Sequence, residues 1–122
     1  MIVISDDSNS VFGAFCNETL QTHSGFYGDG SCFLWKKQES HFKFFPATGQ
    51  NTYFVYTEPH CIAFGGGYSF SLFITRSGKF GLWIDEALDH GHSTSCQTFM
   101  NEPLSKESEF RIQNMEIWSF HI

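Results

Sequence analysis

"FGLWIDEALDHGHSTSCQTFMNEPLS", residues 80–105, starts as one kind of structure and continues as another. Phe80, Leu82 and Ile84 alternate with Gly81 and Trp83, the period of two that lays one apolar row on one face of a sheet. After Asp85 the alternation stops. Two aspartates, a glutamate, two histidines, a cysteine and several hydroxyl residues then crowd into fifteen positions. No apolar row at the helical spacing replaces the lost alternation, so the tract reads as a polar loop leaving a strand.

The same strand signature recurs outward in both directions. Short aromatic and β-branched runs cover Ile2–Ser5, Val11–Cys16, Ser31–Lys36, His41–Phe45, Thr52–Thr57, Cys61–Phe64, Phe70–Thr75, Lys79–Ile84 and Phe110–Phe120, separated by Gly, Ser, Asn and Asp. Ser77-Gly78 reads as a tight hairpin turn and "SDDSNS" (5–10) as another hairpin connection. Only Glu86–Asp89 and Leu104–Ser108 suit a helical turn. The expected class is therefore mainly β, two packed antiparallel sheets with one or two short helical turns. In the last run, Phe110 and Ile112 fall one residue out of step with Met115 and Ile117. A bulge near Gln113–Asn114 would restore the phase, and Trp118 and Phe120 would then cover the opposite face. That pattern predicts a final strand through the centre of the core.

A chain of 122 residues is one domain, and fifteen phenylalanines give it ample apolar surface to bury. The net charge of −6 is uneven. From Asp85 onward seven acids face two bases, whereas residues 1–84 carry six acids and five bases. Nucleic-acid binding needs a positive field, and this distribution argues against it. The N-terminal apolar run is too short for a signal peptide, and no stretch approaches membrane-spanning length. Cys16, Cys32, Cys61 and Cys96 show no CxxC pairing, so a cytosolic chain with reduced thiols is expected.

The polar tract admits three chemistries. His90 and His92, two apart in an extended segment, would point the same way, with Cys96 or Asp85 as a further zinc ligand. Cys96 or Ser93 with His90 as base and Asp85 as orienter would form a nucleophilic site, although no G-x-S-x-G elbow is present. In the third reading the loop caps itself. Asp85 closes a strand, Gly91 lets the chain reverse, and Ser93, Thr94, Ser95 and Thr98 bond local amides. This last arrangement demands no distant partner and is the one expected, with no metal and no cofactor. "FGGG" (64–67) lacks the spacing and the lysine of a phosphate loop, so its glycines are expected to permit positive φ or close strand approach.

Several ordered blocks, taken together, resemble the TLDc domain: "VFGAF" (11–15), "FYGDGSCFLW" (26–35), "IAFGGG" (62–67), the 80–105 stretch and "FRIQNMEIWSF" (110–120). That domain occurs in oxidation-resistance proteins, a nuclear-receptor coactivator and certain Rab GTPase-activating-like proteins. The resemblance implies a β-sandwich of two antiparallel sheets. It also implies a non-catalytic module for oxidative-stress resistance that binds the vacuolar proton-pumping ATPase and regulates its assembly. Such a protein would be cytoplasmic, held at endolysosomal membranes only through its partner, with a mitochondrial location and the oligomeric state left open.

Position by position, Gly65, Gly66 and Gly67 match the family's glycine run, Asp85 its strand-closing acid, and His90-Gly91 its His-Gly pair. Ser93, Cys96, Thr98 and Phe99 match the following serine, cysteine and Thr-Phe positions, and Glu116 and Trp118 the terminal acid-apolar-Trp motif. His92 stands where the family commonly has arginine, and "YSFSLFITRSGK" (68–79) is longer than the usual link. The family's domain usually starts with further elements, so 1–122 is expected to be a single TLDc-like domain lacking its N-terminal part. The binding surface is expected to use Asp85, Glu86, His90, Ser93, Cys96, Thr98 and Glu116. The competing function is a hydrolase or redox enzyme using Cys96, His90 and Asp85.

Overall fold

A computed structural model of the chain describes residues 1–17, 25–66 and 80–118. The expected strand Phe70–Thr75, the Ser77-Gly78 turn, the whole of the 68–79 insertion, Gly67 and Phe120 lie outside the described residues. Among the described residues nine strands are present: β1 (Ile2–Asp6), β2 (Val11–Phe15), β3 (Phe33–Gln38), β4 (His41–Pro46), β5 (Val55–Glu58), β6 (Cys61–Phe64), β7 (Leu82–Asp85), β8 (His90–His92) and β9 (Glu109–Ile117). All pairings are antiparallel. The mainly β class expected from the alternation is what forms.

The two expected sheets are two halves of one. Strand order is β4-β3-β2-β1-β9-β8-β7-β6-β5, so two four-stranded meanders meet on β9. Residues 109–111 of β9 pair with β8, and residues 112–117 pair with β1. Both halves send inward residues to a common core: Ile2, Ile4, Phe12, Ala14, Leu34 and Phe45 from one side, Val55, Phe64, Leu82 and Ile84 from the other, with Phe110 and Ile112 between. Phe12 meets Phe110 edge to face at 4.9 Å, a contact worth about 0.5–1.5 kcal/mol beyond the area it buries.

The parity fault in the last strand is a bulge where the sequence put it. Ser5 pairs with Asn114 and Asp6 with Ile112, leaving Gln113 unmatched. The expected burial of both faces beyond it does not hold. Met115 is only partly covered, and Ile117 and Trp118 are 58% and 56% exposed. β9 is central in the sheet, but only its first half is central in the core.

No helix occurs among the described residues. Glu86–Asp89 makes a hydrogen-bonded turn, and Leu104–Ser108 is a string of bends. A helix-like bond does join Met100 N–H to the Cys96 carbonyl at 2.8 Å. The 5–10 connection is a hairpin built on Asp6, whose side chain is wholly buried. Asp6 Oδ1 accepts from the Ser8 and Ser10 amides, and Oδ2 accepts from the Ser105 hydroxyl. One carboxylate thus closes its own turn and ties it to the segment before β9. On the outer side, β4 is an edge strand with Phe42 and Phe44 exposed beside Trp35 and Phe33.

Candidate functional site

The polar tract begins where β7 ends. Asp85 Oδ1 accepts from the Asp89 amide at 2.9 Å and the His90 amide at 3.2 Å, while its carbonyl accepts from Leu88 N–H at 3.1 Å. Leu88 takes a left-handed φ of 56° to close this turn. Burial alone would raise the Asp85 carboxyl, but the two amides and the His90 ring outweigh it and hold the group below its usual range. The side chains turned outward are Glu86, which meets His60 at 3.2 Å, and His90, which meets Asp89 at 3.0 Å. Arg111 on β9 lies 3.7 Å from Asp89. The rim is therefore acidic, with His60, His90 and Arg111 set around it.

A strand follows where the composition predicts a loop. β8 is three residues, His-Gly-His, without an apolar side chain to announce it. Its central residue explains the composition. Gly91 pairs with Ile84 on one side and Phe110 on the other. A Cβ there would strike the Trp83 carbonyl oxygen and come within 2.8 Å of the Phe110 ring. The glycine admits a strand into a space too narrow for any side chain.

His92 stacks on Trp83 with ring centroids 5.1 Å apart and planes 11° from parallel. Burial lowers the His92 pKa from its ordinary value near 6.5, and Glu109, its cross-strand partner, offsets this only in part. The sign follows from linkage. As pH falls through about 6.5 the unfolded chain takes up the proton before the folded chain does, so stability drops over that window and below it. The His92→Phe variant, which keeps a ring against Trp83 and cannot titrate, is expected to lose less stability than the native chain between pH 7 and pH 5. Urea midpoints at the two pH values measure this; equal losses would refute it.

The tract then fastens its own main chain. Ser93 Oγ donates to the Gly81 carbonyl at 2.6 Å and accepts from Leu104 N–H at 2.9 Å. Thr94 Oγ1 donates to the Phe80 carbonyl at 3.0 Å. Thr98 Oγ1 accepts from Gly66 N–H at 2.9 Å and has one proton to give. Its shortest acceptor is Asn51 Oδ1, at 2.7 Å. Asn101 uses its whole amide: Oδ1 accepts from Cys96 N–H at 3.3 Å, and Nδ2 donates to the carbonyls of Thr94 at 3.0 Å and Glu102 at 2.9 Å. Gly65 stands beneath with φ 79°, and a Cβ on it would fall 2.6 Å from Cys96 Sγ and 2.8 Å from the Phe99 ring. Positive φ and close approach, expected of the glycine run, both occur at this position.

Ser93, Cys96 and Thr98 are each at most 1% exposed. Their side chains face inward and offer nothing to a partner's surface, contrary to their assignment to a binding face. Asp85, Glu86 and His90 form the reachable part of that set. Glu116 is exposed but sits on the β1 side of β9, opposite Val3, on the other half of the sheet. Trp118 is exposed too, with its N–H donating to the Met1 carbonyl at 2.7 Å. Asn101 and Asn51 were missed. Asn101's signal was its residue type at the end of a hydroxyl-rich run, since Asn side chains habitually bond nearby backbone.

Among the described residues neither sharper arrangement is brought together. Among the described residues no three His, Cys, Asp or Glu side chains gather to share a cation. Cys96 Sγ faces Asn101 Oδ1 at 3.3 Å, and burial pushes its thiol up, away from the reactive thiolate. His90 is engaged with Asp89 and Asp85 at the surface. No hydrogen bond among the described residues joins the Cys96 thiol to that imidazole.

Fold and tract together define a strand-built domain whose dense polar segment is architectural at its centre and acidic at its rim. Residues 1–121 match the model of the TLDc domain, and the chain belongs to that family. It is 42% identical over 120 residues to Oxidation resistance protein 1 of Homo sapiens, covering 98% of this chain and 13% of that protein. It is 38% identical to human Nuclear receptor coactivator 7, covering 98% of this chain and 12% of that relative. The Yarrowia lipolytica Oxidation resistance protein 1 is 40% identical over an alignment of 122 positions that covers 97% of this chain and 48% of that one. The chain thus spans half or less of the length of these relatives.

Proposed function

We propose that this chain is a non-catalytic TLDc interaction module that serves oxidative-stress resistance by binding a protein partner, the vacuolar proton-pumping ATPase. It works in the cytoplasm and reaches endolysosomal membranes through that partner. The observation that carries the reading is the division of labour in the 85–101 tract. Its buried hydroxyls and amide bond the backbone, while Glu86, Asp89 and His90 are presented at a hydrogen-bonded turn. A fixed acidic rim suits a basic protein surface better than it suits chemistry on a small substrate. The name Oxidation resistance protein 1, borne by relatives at about this identity, supports the stress role.

Affinity purification of the chain from a cell lysate is expected to recover subunits of the pump. Reversing the rim with Glu86→Lys and Asp89→Lys should weaken recovery about tenfold, the effect of losing about 1.4 kcal/mol. Absence of pump subunits under conditions that retain a full-length relative would sink the partner assignment. Hydroperoxide consumption that continues through many turnovers and vanishes in Cys96→Ser would overturn the non-catalytic part.

A further inference from the structure

Two thiols outside the polar tract face each other across a ladder. The β2–β3 register pairs Phe12 with Lys36, Gly13 with Trp35, Ala14 with Leu34 and Phe15 with Phe33. The next step of that register sets Cys16 opposite Cys32. Both fall on the inward side shared by Ala14 and Leu34: Cys32 belongs to the core, and Cys16 packs against it while remaining partly open to solvent. Cys32 N–H donates to the Asp29 carbonyl at 3.1 Å instead of across the ladder. Opposed residues that do not exchange backbone bonds bring their side chains closest, with Cα atoms about 4.5 Å apart, inside the range of about 4.4–6.8 Å that a disulfide spans.

We propose that Cys16 and Cys32 form a dithiol site that hydroperoxides oxidise to a cross-strand disulfide, clamping the base of the chain segment between β2 and β3. This goes beyond the partner-binding reading and does not depend on it. Cys16, the accessible thiol, attacks a peroxide oxygen as thiolate; the O–O bond breaks, an alcohol or water leaves, and Cys16 carries a sulfenic acid. Cys32 sulfur then attacks that sulfur. The S–S bond forms, the S–O bond breaks, and the oxygen leaves as water with the Cys32 proton. Two electrons pass from the two sulfurs to one peroxide, so the reaction is stoichiometric until a reductant restores the thiols. A hydrogen bond with Cys16, then burial, push the Cys32 thiol up, which suits the resolving role and leaves the first attack to Cys16. Cys61 and Cys96 have other partners, Glu58 at 3.6 Å and Asn101 at 3.3 Å.

The folded chain is treated with cumene hydroperoxide, denatured, alkylated and mapped by mass spectrometry. The expected product joins the Cys16 and Cys32 peptides, two hydrogens lighter than the thiol pair, and separates again with dithiothreitol. Cys16→Ser should abolish the link, and Cys32→Ser should leave a Cys16 sulfenic acid that dimedone traps. Should either substitution unfold the chain, the wild-type map decides alone. Full alkylation of both thiols at a dose that oxidises exposed Met100 would overturn the proposal, as would links to Cys61, Cys96 or a second chain.

Discussion

Gly13→Ala is expected to be strongly destabilised, and Gly30→Ala to be as stable as the parent or slightly more so. Gly13 is in the middle of β2, opposite Val3 of β1 and Trp35 of β3. A Cβ on Gly13 would lie on top of the Ile2 carbonyl oxygen and 3.0 Å from the Trp35 ring. The first obstacle is backbone, so no rotamer change relieves it. β1 must part from β2, and β1 also carries Ile2 and Ile4 into the core and pairs with β9. The cost should exceed ordinary overpacking and reach about 4 kcal/mol, a large share of the roughly 5–15 kcal/mol that holds a domain folded. A Cβ on Gly30 meets nothing within 4 Å, so its main effect is to restrict the unfolded chain. Urea denaturation followed by tryptophan fluorescence distinguishes the two. A Gly13→Ala midpoint within experimental error of the parent's would show that β1 and β2 need not approach so closely.

The second large effect is expected at Asn101. Asn101→Ala removes the acceptor for Cys96 N–H and the donors for the Thr94 and Glu102 carbonyls in a site where Asn101 itself is 2% exposed. Leaving such groups unpaired costs about 1–3 kcal/mol each, so a loss of about 3 kcal/mol is expected after water enters the vacated space. The rim should feel this as well. Ser93 anchors to Leu104 just beyond Asn101, and β8 precedes Ser93 directly. Hydrogen exchange of the 93–104 amides should quicken before global unfolding does. Unchanged exchange and an unchanged midpoint would mean that Asn101 does not hold the tract together.

These outcomes bear on how much the residues alone disclose. Alternation of Phe, Leu and Ile marks a strand wherever one face is apolar, so β1 to β7 were legible within the described residues. β8 was not, because its burial is expressed by a missing side chain, Gly91, and not by an apolar one. The bulge at Gln113 was legible because it shifts parity. Exposure of Ile117 and Trp118 was not, since alternation tells which residues share a face and is silent on what covers it. At the site, residue type revealed the capping habit of Ser93 and Thr98. It could not reveal their burial. Hydroxyls in a polar run look exposed until their partners are known, and the partner of Thr98 is Asn51, 47 residues away in the chain. Buried polar atoms are tolerated once bonded, and bonding is a property of the closed fold.

The position of β9 has a kinetic consequence. Each meander pairs strands that follow one another in the chain, but neither can finish its sheet alone, because β1 and β8 both await a strand more than a hundred residues downstream of β1. The rate-limiting event in refolding should be this late docking, a closure of high contact order on the millisecond-to-second scale of β proteins. On the ribosome, β1 to β8 emerge with the seam between them still open. The apolar rows of Ile2 and Ile4 and of Leu82 and Ile84 then remain accessible to chaperones until residues 109–117 clear the exit tunnel.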